Sequence, residues 1–266
     1  MYLLFFNKQK NTVMNKKIII LFIISLSCLF NKCTSKVENS EKDYTIWISE
    51  GNCFPDVADK YSYPIKNEIE TWKKMTDDKR MNACQLPDDV LKSISTLGLI
   101  RSFLDVPYPF SLLQGYSSMN PFYASWSVIY AFNSSIELLT RKDAVKSLIT
   151  YYAAITLDCC EQTEFLYRLR TFECLFATPE ILDAMNHDDK VEAVKLLLTR
   201  YKQWIDLGYV DTALNINILS VMVCIMYDDM IPYFDQKSLE SIKEGSYIKS
   251  MVDDIITFAE NFISKN

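Results

Sequence analysis

Apolar residues recur at helical spacing along most of the chain beyond residue 60. The last segment is typical, with large apolar residues three or four positions apart on one face: Met251, Ile255, Phe258 and Phe262. Residues 215–227 are apolar nearly all round, as in a helix buried on every side. No interior run alternates as a strand would. The pattern predicts an all-α fold, an irregular stack of helical hairpins around one core.

The breakers of regular structure agree with this class. The 266 residues include 5 glycines and 8 prolines, too few for the frequent turns of a β-sandwich. Some of them mark helix starts, as in Thr178-Pro179-Glu180, which supplies a capping residue, a first-turn proline and an acid. Apolar residues make up 49% of the chain, enough for a sizeable core.

The N-terminus has the order of an export signal. Lys16 and Lys17 precede the apolar residues 18–24, and a more polar exit follows. The apolar stretch 18–30 is shorter than the roughly 20 residues of a membrane-spanning helix. Met14 is the expected start, because a complete charged region follows it. The chain thus divides into a signal segment (1–33), a tether with an irregular lead-in (34–60) and an all-α domain (61–266).

Leu29-Phe30-Asn31-Lys32-Cys33 resembles the relaxed lipobox of bacterial lipoproteins, although Asn31 and Lys32 stand where small residues are usual. The resemblance implies lipid attachment at Cys33 and a location in the cell envelope, on the outer membrane or in the periplasm. Cys28 is a rival acceptor, and ordinary cleavage near Ser27 would release a soluble protein. The polar residues 34–43 favour Cys33 because they can act as a tether.

Charge excludes one class of partner. The first 33 residues hold five lysines and no acid, so the rest, with 23 basic and 34 acidic residues, carries −11. An acidic domain without a basic stripe is a poor match for a phosphate backbone, and no nucleic-acid partner is expected. We find no cofactor-binding loop, and expect no cofactor.

Six cysteines follow the anchor, and an exported chain favours disulfides. Cys53 and Cys84 flank one candidate helix and form the predicted pair. Cys174 and Cys224 stand among apolar residues, which is typical of buried, inert thiols. One histidine and the absence of a C-x-x-C motif argue against a metal site.

Eight aromatic rings fall within residues 108–132. Phe122, Trp126 and Tyr130 are four residues apart and predict a buried helical stripe. The functional alternative is a groove in which three tyrosines stack on a ligand such as a glycan or a peptide: Tyr108, Tyr116 and Tyr123.

Catalytic groups are sparse. His187 lies in a polar cluster and is expected to be a solvated turn residue. Close acids could serve a carboxylate-dependent hydrolase of envelope or extracellular polymer: Asp158, Glu161, Glu164, Asp228 and Asp229. Charge runs at helix ends are usually solvated, and Glu173 is expected to form a surface ion pair with Arg170. A non-enzymatic, membrane-anchored domain that binds an envelope protein or glycan is favoured over the hydrolase.

One further segment has a familiar motif. It runs Ala83-Cys84-Gln85-Leu86-Pro87-Asp88-Asp89-Val90-Leu91, then Ser95-Thr96, and later Tyr108-Pro109, with Arg141-Lys142-Asp143-Ala144 as an echo. It resembles a motif, A-C-Q-I-P-E-x-x-L, of exported bacterial helical proteins of unknown function. The resemblance covers about residues 83–153 and implies export and helices, but no activity. It also makes Cys84 part of a motif, which leaves its pairing with Cys53 open.

Overall fold

A computed structural model describes residues 53–65, 74–107, 121–157, 163–209, 212–246 and 248–265, without the side chains of 77, 121–123 and 163. These residues all belong to one compact unit. Their regular structure is helical, with no strand, and their buried apolar side chains form one continuous core. The predicted all-α class is confirmed. The signal segment, Cys33 and most of the tether lie outside the described residues and remain predictions.

The α-helices, numbered here in chain order, are α1 Asp77–Ala83, α2 Asp88–Ser93, α3 Thr96–Leu104, α4 Pro121–Ile129, α5 Asn133–Leu138, α6 Ala144–Ala153, α7 Thr163–Glu173, α8 Pro179–Ala184, α9 His187–Asp206, α10 Ala213–Met230, α11 Gln236–Lys243 and α12 Val252–Ser264. Short 3₁₀ turns follow α7 at Cys174–Ala177 and precede α12 at Lys249–Met251.

The first described residues, 53–60, are irregular and pack against α3. Phe54 is 8% exposed, and its carbonyl accepts a hydrogen bond from Arg101 Nη1 at 2.9 Å. Asp59 accepts from the backbone N–H and the hydroxyl of Ser95, the residue that caps α3. A Cβ at Gly98 would lie 2.7 Å from the Asp59 carboxylate, so this approach requires glycine. Residues 53–60 are therefore held against α3 at both Phe54 and Asp59.

Several residues of the A-C-Q-L-P motif connect helices. Gln85 accepts from the backbone N–H of Asn133, and the Asn133 amide exchanges two hydrogen bonds with the backbone of Leu86. The Thr96 hydroxyl donates to Asp143 at 2.7 Å. These bonds satisfy polar groups at the helix ends and fix α5 and α6 relative to α2 and α3. Their geometry gives the motif a structural role.

Helix α10 lies at the centre of the domain. It packs against α7, α9, α11 and α12, and 13 of its 18 residues are buried. In the described part of the chain it is the one helix long and apolar enough to cross a membrane, yet 72% of that window is buried within the protein. The sequence predicted this core helix at 215–227, and burial on all sides explains its lack of a polar face.

Helix α9 forms the layer beside α10. It begins with a capping box in which Asn186 and Asp189 satisfy each other's backbone N–H groups, and it ends before Gly208, whose φ of 86° suits glycine. Trp204 on its inner face is fully buried. Because α9 also packs against α6 and α12, it joins α6 to the last helix of the described chain.

The predicted Cys53–Cys84 disulfide is wrong. Cys84 is a free thiol that caps α1 inside the core, where burial raises its pKa to about 12. Cys53 is disulfide-bonded, and the other described cysteines are free, so its partner lies outside the described residues. The Cys53 carbonyl accepts from the N–H of Thr156, so its backbone is held just after the end of α6. Cys174 and Cys224 are free and buried, as predicted.

Candidate functional site

The predicted stacking residues fall mostly outside the described part. Tyr108 and Tyr116 lie outside it, and Tyr123 lies on α4 with its side chain not described. Of their described neighbours, Phe132 is buried, while Trp126 and Tyr130 are half-buried and meet edge to face with centroids 6.4 Å apart. Ligand stacking at the three tyrosines stays a prediction.

The other candidate catalytic groups, where the structure describes them, are exposed or form an ordinary ion pair. His187 is exposed at the first residue of α9, against the ring of Phe262. Glu164 forms an ion pair with Arg168 at 2.9 Å. Asp228 and Asp229 are exposed near the end of α10, whereas Asp158 and Glu161 lie outside the described residues. The described acids of this set line neither the small cavity under α12 nor the cleft between α6 and α9. Among the described residues no three metal-ligating side chains converge.

A buried carboxylate lies where α6, α7 and α10 meet. Glu173, the last residue of α7, is 1% exposed. The Tyr152 hydroxyl of α6 donates to its Oε1 at 2.7 Å, and the Asn217 amide of α10 donates to its Oε2 at 3.1 Å. The amide nitrogen of Asn217 also donates to the Arg170 carbonyl, and the amide oxygen of Asn217 accepts from the Cys174 thiol. Glu173 therefore binds both neighbouring helices.

Aromatic packing keeps water away from this carboxylate. The rings of Tyr152 and Phe172 stack with centroids 5.9 Å apart, and Phe176 meets both of them edge to face. Phe172 and Phe176 are fully buried. In such a low-dielectric surrounding a carboxylate is costly to ionise, and the bonds that it accepts are strengthened.

Two arginines supply positive charge to the same place. Arg170 and Arg200 are 7% and 6% exposed, and both act electrostatically on Glu173. Burial raises the pKa of Glu173 to about 7. The hydrogen bonds from Tyr152 and Asn217 and the charges of the two guanidinium groups lower this pKa, but their effect is smaller than that of burial. Burial also lowers the pKa of Arg170. We call these five residues the Glu173 cluster: Tyr152, Arg170, Glu173, Arg200 and Asn217.

The expected surface ion pair between Arg170 and Glu173 is wrong. Both side chains are buried, Arg170 lies over the ring of Tyr167 at 5.1 Å, and its Nε has no hydrogen-bond partner. The turn of helix that bears them faces the core because Phe172 and the apolar residues 174–177 surround Glu173 in sequence. An acid inside such an apolar run, and Asn217 inside another, were the available signals of a buried polar site.

A cleft of about 550 Å³ opens beside the cluster, between the end of α6 and one face of α9. It is within the size range of small-molecule sites. Tyr152 and Arg200 line it and belong to the Glu173 cluster, so the cluster forms part of the cleft wall. Other lining residues are Ile155, Thr156, Leu196, Thr199, Gln203 and Leu207. A second cavity, under α12, is apolar and about 10 Å³, no larger than a water molecule needs.

Fold and site together define an all-α domain with an arginine-lined cleft backed by a buried carboxylate. Comparison with known proteins adds no family to this: no family model matches the chain, and no curated protein or solved structure is significantly similar to it.

The raised pKa of Glu173 predicts how stability depends on pH. Between the ordinary value of 4.5 and about 7, the folded protein holds a proton on Glu173 that the unfolded chain has lost. The free energy of unfolding therefore falls as pH rises through this range, by up to about 3 kcal/mol. Urea denaturation of Glu173→Gln between pH 4.5 and 8 should show this slope removed, whatever the variant's absolute stability.

The matched control is Glu180→Gln. Glu180 is exposed and also accepts a bond from a tyrosine hydroxyl, that of Tyr130 at 2.9 Å, so it tests the loss of an ionisable carboxyl beside such a hydroxyl without burial. This control should keep the wild-type slope. An unchanged slope in Glu173→Gln would show that Glu173 ionises at its ordinary pKa in the folded protein.

Proposed function

We propose that this protein is an exported, lipid-anchored domain of the cell envelope that binds a ligand in the cleft between α6 and α9 without transforming it. The cleft carries the proposal, because it combines the volume of a small-molecule site with an arginine held rigidly in its wall. The ligand belongs to the envelope, as a free molecule or as part of a glycan or protein.

The compartment is inferred from the N-terminal sequence and from the bonded state of Cys53. The charged and apolar residues 16–24 have the order of a signal, and Cys33 follows with a polar tether. The bonded state of Cys53 supports the same compartment, since disulfides persist mainly in oxidising surroundings. An acidic domain beyond the tether also suits exposure to solvent.

Binding is favoured over hydrolysis by the chemistry of the cleft wall. Its charged lining residues are Arg200 and Asp206, which do not form a pair of acids. Glu173, whose pKa is shifted towards neutrality, lies behind Tyr152 and is fully buried. Hydroxyl and amide groups on Thr156, Thr199 and Gln203 can orient a ligand, which is what a binding site requires.

The anchor is tested by metabolic labelling with palmitate. The full chain should incorporate the label and partition into membranes, and Cys33→Ala should lose both properties, because the lipid is attached through that thiol. Cys28→Ala is the control and should behave as wild type. Labelling that persists in Cys33→Ala and disappears in Cys28→Ala would move the anchor to Cys28, and no labelling of wild type would remove it.

The binding site is tested by filling the cleft. Thr199→Trp adds bulk to an exposed lining residue of α9, and Thr140→Trp does so at an exposed threonine that is not among the cleft-lining residues; both hydroxyls bond back to a preceding carbonyl. Each full-length protein is incubated with envelope extract and examined by native mass spectrometry. Wild type and Thr140→Trp should retain the same bound mass, and Thr199→Trp should lose it. Retention by Thr199→Trp, or no bound mass on wild type, would contradict the proposal.

A further inference from the structure

We propose that the cleft between α6 and α9 selects a monocarboxylate with an apolar body, whose carboxylate pairs with the guanidinium of Arg200. This inference rests on the proposed function, since it names the ligand class of the same cleft. It follows from three features of the described residues: an excess of buried positive charge, the fixed orientation of Arg200, and the composition of the cleft wall.

The first feature is the charge balance of the Glu173 cluster. Two guanidinium groups are buried around one carboxylate, and neither arginine has an ion-pair partner within 4.0 Å in the described part of the chain. Buried charges are normally paired, because an uncompensated one loses its hydration without return. Even with Glu173 fully ionised, the cluster keeps one positive charge in excess. One further negative charge would balance it.

The second feature shows where that charge can be placed. Arg200 lines the cleft, whereas Arg170 does not. One N–H of Arg200, on Nη2, donates to the Ile155 carbonyl at 2.9 Å, and the guanidinium lies over the Tyr152 ring, 5.3 Å from its centroid. None of the Arg200 nitrogens is both buried and without a partner. The fork is thus held in place by Ile155 and Tyr152 at the wall of the cleft.

A guanidinium held in this way suits a carboxylate. Its planar N–H groups match the two oxygens of a carboxylate, and charge-assisted bonds of this kind are about twice as strong as neutral ones. Tyr152 and Ile155 already hold the Arg200 side chain in place. Binding a ligand therefore costs little further side-chain entropy at Arg200.

The third feature distinguishes one negative charge from two. Asp206 is the other charged residue of the cleft wall, and at equal distance it repels a dianion such as phosphate about twice as strongly as a monocarboxylate. The apolar part of the wall comes from four residues: Ile155, Leu157, Leu196 and Leu207. A ligand with one carboxylate and an apolar body therefore fits both the charge and the surface.

The test uses pairs of probes that differ only in charge. Hexanoate and hexanamide represent a free aliphatic acid and its neutral isostere, and N-acetyl-leucine and N-acetyl-leucinamide represent a chain terminus. Each is titrated into the ¹⁵N-labelled full chain in detergent at constant pH and ionic strength, together with inorganic phosphate. At least one carboxylate should bind about tenfold or more tightly than its amide, with shifts at residues 155–157 and 196–207. If hexanoate binds more tightly, the ligand is a free aliphatic acid, and if N-acetyl-leucine binds more tightly, it is the carboxyl terminus of a chain.

Arg200→Lys is the matching protein variant. It keeps the charge but loses the planar fork, so carboxylate affinity should fall about tenfold while amide affinity changes little. Arg141→Lys is the control, because Arg141 is also a partly buried arginine that donates to two backbone carbonyls, those of Leu91 and Ile94, and it is not a lining residue of the cleft. It should leave the affinities for both probes as in wild type.

Four results would overturn this inference. If amides bind as tightly as carboxylates, or if Arg200→Lys keeps the wild-type selectivity, the cleft does not select its ligand through the charge and planar fork of Arg200. Either result would leave the proposed function intact. Tighter binding of phosphate than of either carboxylate would replace the ligand class. If no probe binds, the carboxylate inference fails, and retention of an envelope ligand by wild type but not by Thr199→Trp still decides the proposed function independently.

Discussion

A carboxylate that folding removes from water must receive donors or opposite charge, and Glu173 imposes this requirement on the centre of the domain. The donors come from Tyr152 on α6 and Asn217 on α10, while Glu173 itself ends α7. The consecutive helices α6 and α7 and the more distant α10 must therefore meet in one register. Apolar packing alone tolerates many arrangements of similar volume, whereas these directed bonds do not.

The same constraint shapes the cleft. The Tyr152 hydroxyl donates to Glu173, and the Tyr152 ring contacts the guanidinium of Arg200. That guanidinium also donates to the Ile155 carbonyl, which fixes its orientation. The loop after α6 is in turn bound to Cys53 through the N–H of Thr156. The wall of the cleft is thus built from the core outwards, and its arginine keeps a fixed orientation without a ligand. Such preorganisation lowers the cost of binding.

The sequence predicted what depends on local periodicity and capping. The largely apolar residues 215–227 predicted a central helix, and Pro179 predicted the start of α8, because burial and proline geometry act over a few residues. The site depends on long-range contacts. Glu173 and Asn217 are 44 positions apart, and no local pattern states that they meet. The Cys53–Cys84 pairing was wrong for a similar reason, since flanking one candidate helix does not decide which cysteines bond.

The central claim is that Glu173 couples α6 to α10, and a double-mutant cycle of unfolding free energies tests it most directly. Tyr152→Phe and Asn217→Ala each remove one donor to Glu173, and the double variant removes both. If the carboxylate is shared, the two effects are not additive, and the interaction free energy is about 0.5–3 kcal/mol in magnitude. Effects that add to within about 0.3 kcal/mol would contradict the account, because the two donors would then act independently.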